Sequence, residues 1–174
     1  MSVVALTAAE YEAAIPGLAA LLVDAVDGGA AVNFLAGVTV DQTAAWWRDR
    51  VDDVRDGTIT VFVVRDEDDP ARVLGSTIVI RSRNPNSPHR AEIGKVLVHR
   101  SARRRGLGRA LMTAAEDAAR AEGRWLLILD THLGSDAEAM YRALGWQAFG
   151  VVPNHAMLVD GTLSPTIYFW KDLR

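Results

Sequence analysis

The chain has 174 residues, enough for one domain with a substantial core, and 1–174 reads as a single unit. It contains no cysteine, which excludes disulfides, thiolate metal ligands and a cysteine acyl-enzyme. The formal net charge of -3 argues against general nucleic-acid binding, and no apolar run reaches membrane-spanning length.

The first ten residues lack a basic segment, so they do not read as a signal peptide, and a soluble, cytoplasmic protein is expected. Residues 2–6 read as a short strand. Thr7 with Glu10 forms a capping-box start to a helix through Tyr11, Ile15, Leu18, Leu22 and Val26. Pro16 is a candidate break in that helix, and Gly28-Gly29 its end. The loop that follows carries Asn33 and Phe34. Asp41 is the expected cap of a second helix through Trp46, Trp47, Val51 and Val54, stopping near Gly57. Adjacent Trp46 and Trp47 cannot share one face, so one of them belongs to the core.

Residues 58–64 and 73–80 read as a β-hairpin around a turn at 66–70. An Asn-Pro-Asn-Ser-Pro loop at 84–88 precedes a third apolar strand at 91–98. A helix is expected over 108–122, a buried strand over 125–129, a short helix over 136–144, and strands over 146–152 and 166–170. A helical crossover joins the strands on either side of 108–122, so that pair should run parallel. The order predicts an α/β (α+β) mixed sheet with helices on both faces.

Arg100, Arg103, Arg104, Arg105 and Arg109 fall within ten residues of an acidic chain, which points to a small bound polyanion. In the run Arg103-Arg104-Arg105-Gly106-Leu107-Gly108-Arg109, a strand gives way to a long helix. A helix N-terminus offers unpaired N–H groups to a phosphate, and Gly106 and Gly108 leave room for its approach. The third glycine of a dinucleotide fingerprint is absent, Leu111 standing in its place, and the Gly-Lys-Ser/Thr of a P-loop is missing too. From spacing alone, a phosphate site and a solvated basic helix cap both remain open. His89, His99, His132 and His155 lack the i, i+4 spacing of a metal pair, and no metal is expected.

Arg103-x-x-Gly106-x-Gly108 is similar to the R/Q-x-x-G-x-G/A signature of the GNAT acetyltransferases. The flanking Glu92-Ile93-Gly94-Lys95-Val96-Leu97-Val98 and Leu126-Leu127-Ile128-Leu129-Asp130 fit the same pattern. Ala137 through Tyr141 to Gly145-Trp146 resembles that family's A-x-x-x-Y-x-x-x-G-F segment. Where many members carry Asn, three residues before the alanine, this chain has Gly134, and Ser135 is the candidate substitute. The segment from Pro153-Asn154-His155 to Ile167-Tyr168-Phe169 looks most like the small-molecule branch that includes tabtoxin-resistance proteins.

The resemblance implies a GNAT fold, with a central sheet of about seven strands and a splayed parallel pair. It implies acetyl-CoA as co-substrate, its pyrophosphate on the backbone of Arg104, Arg105, Gly106, Leu107, Gly108 and Arg109, with Arg103 opening the motif. The pantetheine arm would lie along Val96, Leu97 and Val98, where a backbone N–H polarises the thioester. Tyr141 is implied as the proton donor to the departing sulfur. Glu92 and Asp130 are the candidate bases, since a protonated amine cannot attack. Asn33, Phe34 and His155 are candidate acceptor contacts. The implied activity is acetylation of a small-molecule amine by direct attack in a ternary complex, with antibiotic or toxin resistance among its possible roles. A protein or peptide acetyltransferase and a non-catalytic acyl-CoA-binding module stay open as alternatives. A homodimer is the expected assembly, with no nucleic-acid or membrane partner.

Overall fold

The computed structural model describes residues 2–174. Its elements are β1 (Val3–Ala5), α1 (Ala8–Asp27), α2 (Val40–Arg48), α3 (Val51–Arg55), β2 (Ile59–Arg65), β3 (Val73–Arg81) and β4 (Arg90–Val98). A 3-10 turn (Arg100–Ala102) follows, then α4 (Leu107–Ala121), β5 (Leu126–His132), α5 (Asp136–Ala143), β6 (Gln147–Met157) and β7 (Leu163–Asp172).

The strands form one seven-stranded sheet in the order β1-β2-β3-β4-β5-β7-β6. Every pairing is antiparallel except β4 with β5, as the helical crossover requires. That parallel pairing spans only Arg90↔Leu126, Ala91↔Leu127 and Glu92↔Ile128. Beyond Glu92 the two strands separate, which opens a V in the middle of the sheet. One core packs α1, α2 and α3 against the sheet through Leu18, Leu22, Trp47 and Ile78. The other packs α4 and Tyr141 of α5 through Leu111, Met112, Leu127 and Phe169. Helices therefore cover both faces, as the GNAT fold requires.

The capping box at Thr7 and Glu10 is present, yet α1 runs unbroken through Pro16. An interior proline costs a helix roughly 3 kcal/mol. Here Ile15, Leu18 and Ala19 are buried on both sides of it, so tertiary packing holds the helix together. A Cβ on the next residue, Gly17, would lie 2.5 Å from the Ala71 carbonyl, so α1 crosses the start of β3 at close range.

The expected second helix is two helices. Thr39, not Asp41, caps α2, with Gln42 closing the capping box. Side chains satisfy the carbonyls at the break after Arg48. The Tyr11 hydroxyl donates to the Trp47 carbonyl at 2.6 Å, and Arg50 Nη1 donates to the Trp46 carbonyl at 2.5 Å. The Trp47 carbonyl also accepts from Arg50 N at 3.1 Å, so these side chains satisfy acceptors at the end of α2 that the turn leaves without helical partners. Trp47 is the core tryptophan, fully buried, and Trp46 lies half-buried under Arg50.

β6 and β7 are longer than their apolar runs suggest. Val152-Pro153-Asn154-His155 reads as a strand end. The structure instead places a bulge between Val152 and Ala156, with Asn154 at φ 53. An edge strand tolerates this because the proline interrupts no central ladder.

Candidate active site

The open V between β4 and β5 is the mouth of a cavity of about 1110 Å³. Its walls come from the α1–α2 loop, β4, the start of α4, β5, α5 and the β6–β7 hairpin. Glu92, Asp130, Tyr141, Asn33, Phe34, His155 and Ser135 all lie on it, as do Val96, Leu97 and Val98. Arg103, Arg104, Gly106, Leu107, Gly108 and Arg109 complete that set, whereas Arg105 is exposed and off the wall.

At one end sits the N-terminus of α4. Thr7, Thr39 and Ser135 cap α1, α2 and α5 with side-chain oxygens, but Gly106 caps α4 with none. The first N–H groups of this 15-residue helix are therefore free for an outside anion. Gly106 has φ 79 and nothing within 4 Å of a Cβ position, so its conformation, not space, calls for glycine. Gly108 lines the cavity and has a second reason to be bare: a Cβ there would meet Met140 Sδ at 2.9 Å, so its lack of a side chain also lets α5 close on α4.

The arginine cluster divides by partner. Asp24 at the end of α1 accepts from the Arg100 backbone and from its Nε, both at 2.9 Å. Arg103 Nε turns back to the Val98 carbonyl at 3.4 Å. Arg104 and Arg109 line the cavity with no protein partner among the described residues, which leaves their charge for a ligand. A pyrophosphate suits this donor set, and the amide-bearing arm of coenzyme A suits the unpaired edge of β4 beyond Glu92.

At the other end lie the titratable groups. Glu92 is exposed to the open cleft, yet partial desolvation by the cleft walls, then the nearby Asp130 charge, raises its carboxyl above the ordinary carboxylate range. Burial, then Asp130 again, raises the Tyr141 hydroxyl, so it stays protonated at neutral pH. Tyr141 is 5% exposed and packs between Trp146 and Phe169 at ring distances of 6.2 and 6.1 Å. Its hydroxyl has no protein hydrogen-bond partner among the described residues, so a core aromatic also presents a free donor to the cavity. Asp130 pairs across the sheet with Tyr168, whose hydroxyl is 2.8 Å from His155 Nε2. Ser135 lines the wall, although its oxygen accepts from Glu138 N at 3.1 Å. Gly134, at φ 85, donates to Glu138 Oε2 at 2.7 Å.

Lys95 also lines the cavity, and the sequence reading did not single it out. It lies inside an apolar run, Ile93 to Val98, and the sole signal is a lysine in a central strand. Its ammonium lies 4.7 Å from the Trp46 ring and donates to the Val32 carbonyl at 3.3 Å. Burial, then repulsion from Arg50, lowers it to about 8, against the pull of Asp130 and Glu92. The bond to Val32 ties the α1–α2 loop to β4. A second tie, Ala36 N to Val159 O at 2.8 Å, joins that loop to the β6–β7 turn and roofs that end of the cavity.

A model of the acetyltransferase (GNAT) family matches residues 18–146. Among solved structures, a ribosomal-protein-alanine N-acetyltransferase from Brucella melitensis is 25% identical, with 99% of this chain and 100% of that chain covered and a TM-score of 0.73. An N-acetyltransferase from Staphylococcus aureus is 20% identical over the whole of both chains, with a TM-score of 0.77. A protein of Salmonella typhimurium solved with its cofactor acetyl-CoA is 20% identical over 100% of this chain and 94% of that one, with a TM-score of 0.75.

Proposed function

The chain belongs to the GNAT family of acetyltransferases, and from that premise we propose that it moves the acetyl group of acetyl-CoA to an amine of a small molecule, by direct attack in a ternary complex. The observation that carries the reading is the parting of β4 from β5 just after Glu92, which sets an unpaired strand edge against Asp130 and Tyr141. The uncapped α4 N-terminus with Arg104 and Arg109 holds the pyrophosphate. The free β4 edge binds the pantetheine arm.

Glu92 takes the proton from the acceptor ammonium, directly or through a water. Its raised pKa makes it a stronger base than an ordinary glutamate, and Asp130 shares the task by charge. The freed amine attacks the thioester carbon. Backbone N–H groups of β4 receive the charge that builds on the carbonyl oxygen. Tyr141, kept neutral by burial, gives its proton to the leaving sulfur; the attacking nitrogen loses its second proton to the tyrosinate as the intermediate collapses, which leaves a neutral amide and free thiol, and Glu92 passes the first proton to solvent.

The roof formed by the α1–α2 loop supports a small acceptor, because it narrows the end where a peptide would have to lie. A protein acceptor is the second reading, and the Brucella melitensis relative's name favours it. Thiol release from acetyl-CoA separates them. Turnover with small primary amines and none with short peptides supports the first reading, and the reverse pattern overturns it. No helix among the described residues is long and apolar enough to cross a membrane, and the proposed setting is the cytoplasm, which cell fractionation tests: recovery with membranes or outside the cell overturns it. A homodimer is proposed through the edge strand β6, which carries no Asp, Glu, Lys or Arg and exposes Phe149, Val151 and Val152. A monomer mass by light scattering overturns it.

A further inference from the structure

The ladder between β3 and β4 slips by one residue where the cleft begins. Ser76 faces Leu97 and Ile78 faces Gly94, so Thr77 alone stands opposite both Lys95 and Val96. Lys95 adopts φ 49 in this bulge. A bulge disrupts the ladder and leaves backbone carbonyls in need of donors. Two neighbouring side chains supply them. Ser76 Oγ donates to the Lys95 carbonyl at 3.1 Å, and Thr77 Oγ1 donates to the Gly94 carbonyl at 3.2 Å. Both residues are fully buried.

Each peptide unit here is trans, so its C=O and N–H point in opposite directions. Fixing the Gly94 carbonyl toward β3 turns the Lys95 N–H away from β3. Fixing the Lys95 carbonyl does the same for the Val96 N–H. In a regular strand successive N–H groups alternate sides; the left-handed turn at Lys95 puts two consecutive ones on one side. That side is where β5 would lie, but β5 pairs with β4 only as far as Glu92. Two adjacent donors therefore aim into the cleft with no strand to receive them.

We infer that Ser76 and Thr77 are positioning residues for acyl transfer: their hydroxyls lock the peptide planes of the bulge so that the Lys95 and Val96 N–H groups face the thioester oxygen. The inference rests on the acetyltransferase reading above and adds to it the groups that preorganise the oxyanion donors. Neither hydroxyl lines the cavity, so neither touches the substrate. A purely structural role would satisfy the buried carbonyls and leave the thioester unaffected.

The test uses acetyl-CoA labelled with 13C at its carbonyl, bound to the full-length protein, and reads the infrared carbonyl stretch. In the wild type the bound stretch lies below that of free acetyl-CoA. In the double variant Ser76→Ala with Thr77→Val it returns toward the free value, while acetyl-CoA affinity stays within about twofold and turnover falls on the order of tenfold or more. Thr77→Ser, which keeps a hydroxyl, retains the wild-type stretch. If the double variant does not fold, Ser76→Ala alone carries the same comparison. A variant that keeps the full wild-type shift, or a wild type that binds acetyl-CoA without shifting it, overturns the positioning role. A wild type that does not bind acetyl-CoA overturns the acetyltransferase reading itself.

Discussion

Lys95→Met should make the protein more stable at neutral pH and less stable at high pH. Lys95 falls from its ordinary 10.5 to about 8 in the fold, first because of burial and then because of Arg50. That drop corresponds to about 3 kcal/mol of cost for keeping the ammonium charged in the native state. The sign follows from proton counts. Below pH 8 both folded and unfolded chains hold the proton, and the native state carries the full cost. Between pH 8 and 10.5 the unfolded chain holds more protons, so stability rises with pH. Above 10.5 the cost is gone. Methionine keeps the apolar stem and removes the bond to the Val32 carbonyl, a loss of about 1 kcal/mol. The variant should therefore be about 2 kcal/mol more stable at pH 7, and about 1 kcal/mol less stable once lysine is neutral. Urea unfolding of both proteins from pH 7 to 10.5 gives the difference curve. A flat difference, or a variant less stable at pH 7, refutes the reasoning. The same substitution removes a cation that holds Glu92 down, so the acid limb of the rate profile should move to higher pH.

Glu92→Gln should abolish the rise in kcat/KM with pH that reports deprotonation of the raised carboxyl, whereas Asp130→Asn should move that rise to lower pH, since Asp130 is one cause of the raised value. Rate profiles of both variants check this, and two unchanged profiles would exclude the pair as base. Arg104→Ala combined with Arg109→Ala should weaken acetyl-CoA binding by roughly tenfold or more for each charge-assisted hydrogen bond removed, and should flatten its salt dependence. Calorimetric titration measures it, and unchanged affinity would move the pyrophosphate elsewhere. Gly106→Ala should weaken the same binding, because an alanine at φ 79 is strained by about 1 kcal/mol. A gain in affinity would refute that.

Much of the candidate cleft's lining was legible because it lies in contiguous sequence. The strand, the glycine turn and α4 come in one run, and Tyr141 lies on the next helix. What escaped the sequence depends on contacts between distant segments. The α2–α3 break carries a bond to the Trp47 carbonyl from a Tyr11 hydroxyl 36 residues away. Continuity of α1 through Pro16 comes from what its two faces bury. The role of Lys95 depends on a bulge that changes which side of β4 each residue faces, and nothing in Ile93-Gly94-Lys95-Val96 marks that change. The packing role of Gly108 escaped because Met140, whose sulfur is nearest its missing side chain, is 32 residues away on α5.

The most direct test of acyl transfer in the split sheet is thiol release from acetyl-CoA with an amine acceptor, for wild type and Tyr141→Phe, with acetyl-CoA affinity measured on the same samples. The variant is expected to bind acetyl-CoA as the wild type does and to lose on the order of a hundredfold in turnover. Equal turnover in the two proteins would contradict the assignment of Tyr141 as proton donor. Tight acetyl-CoA binding by the wild type, with no acceptor-dependent thiol release, would contradict the central claim that this cleft performs acetyl transfer.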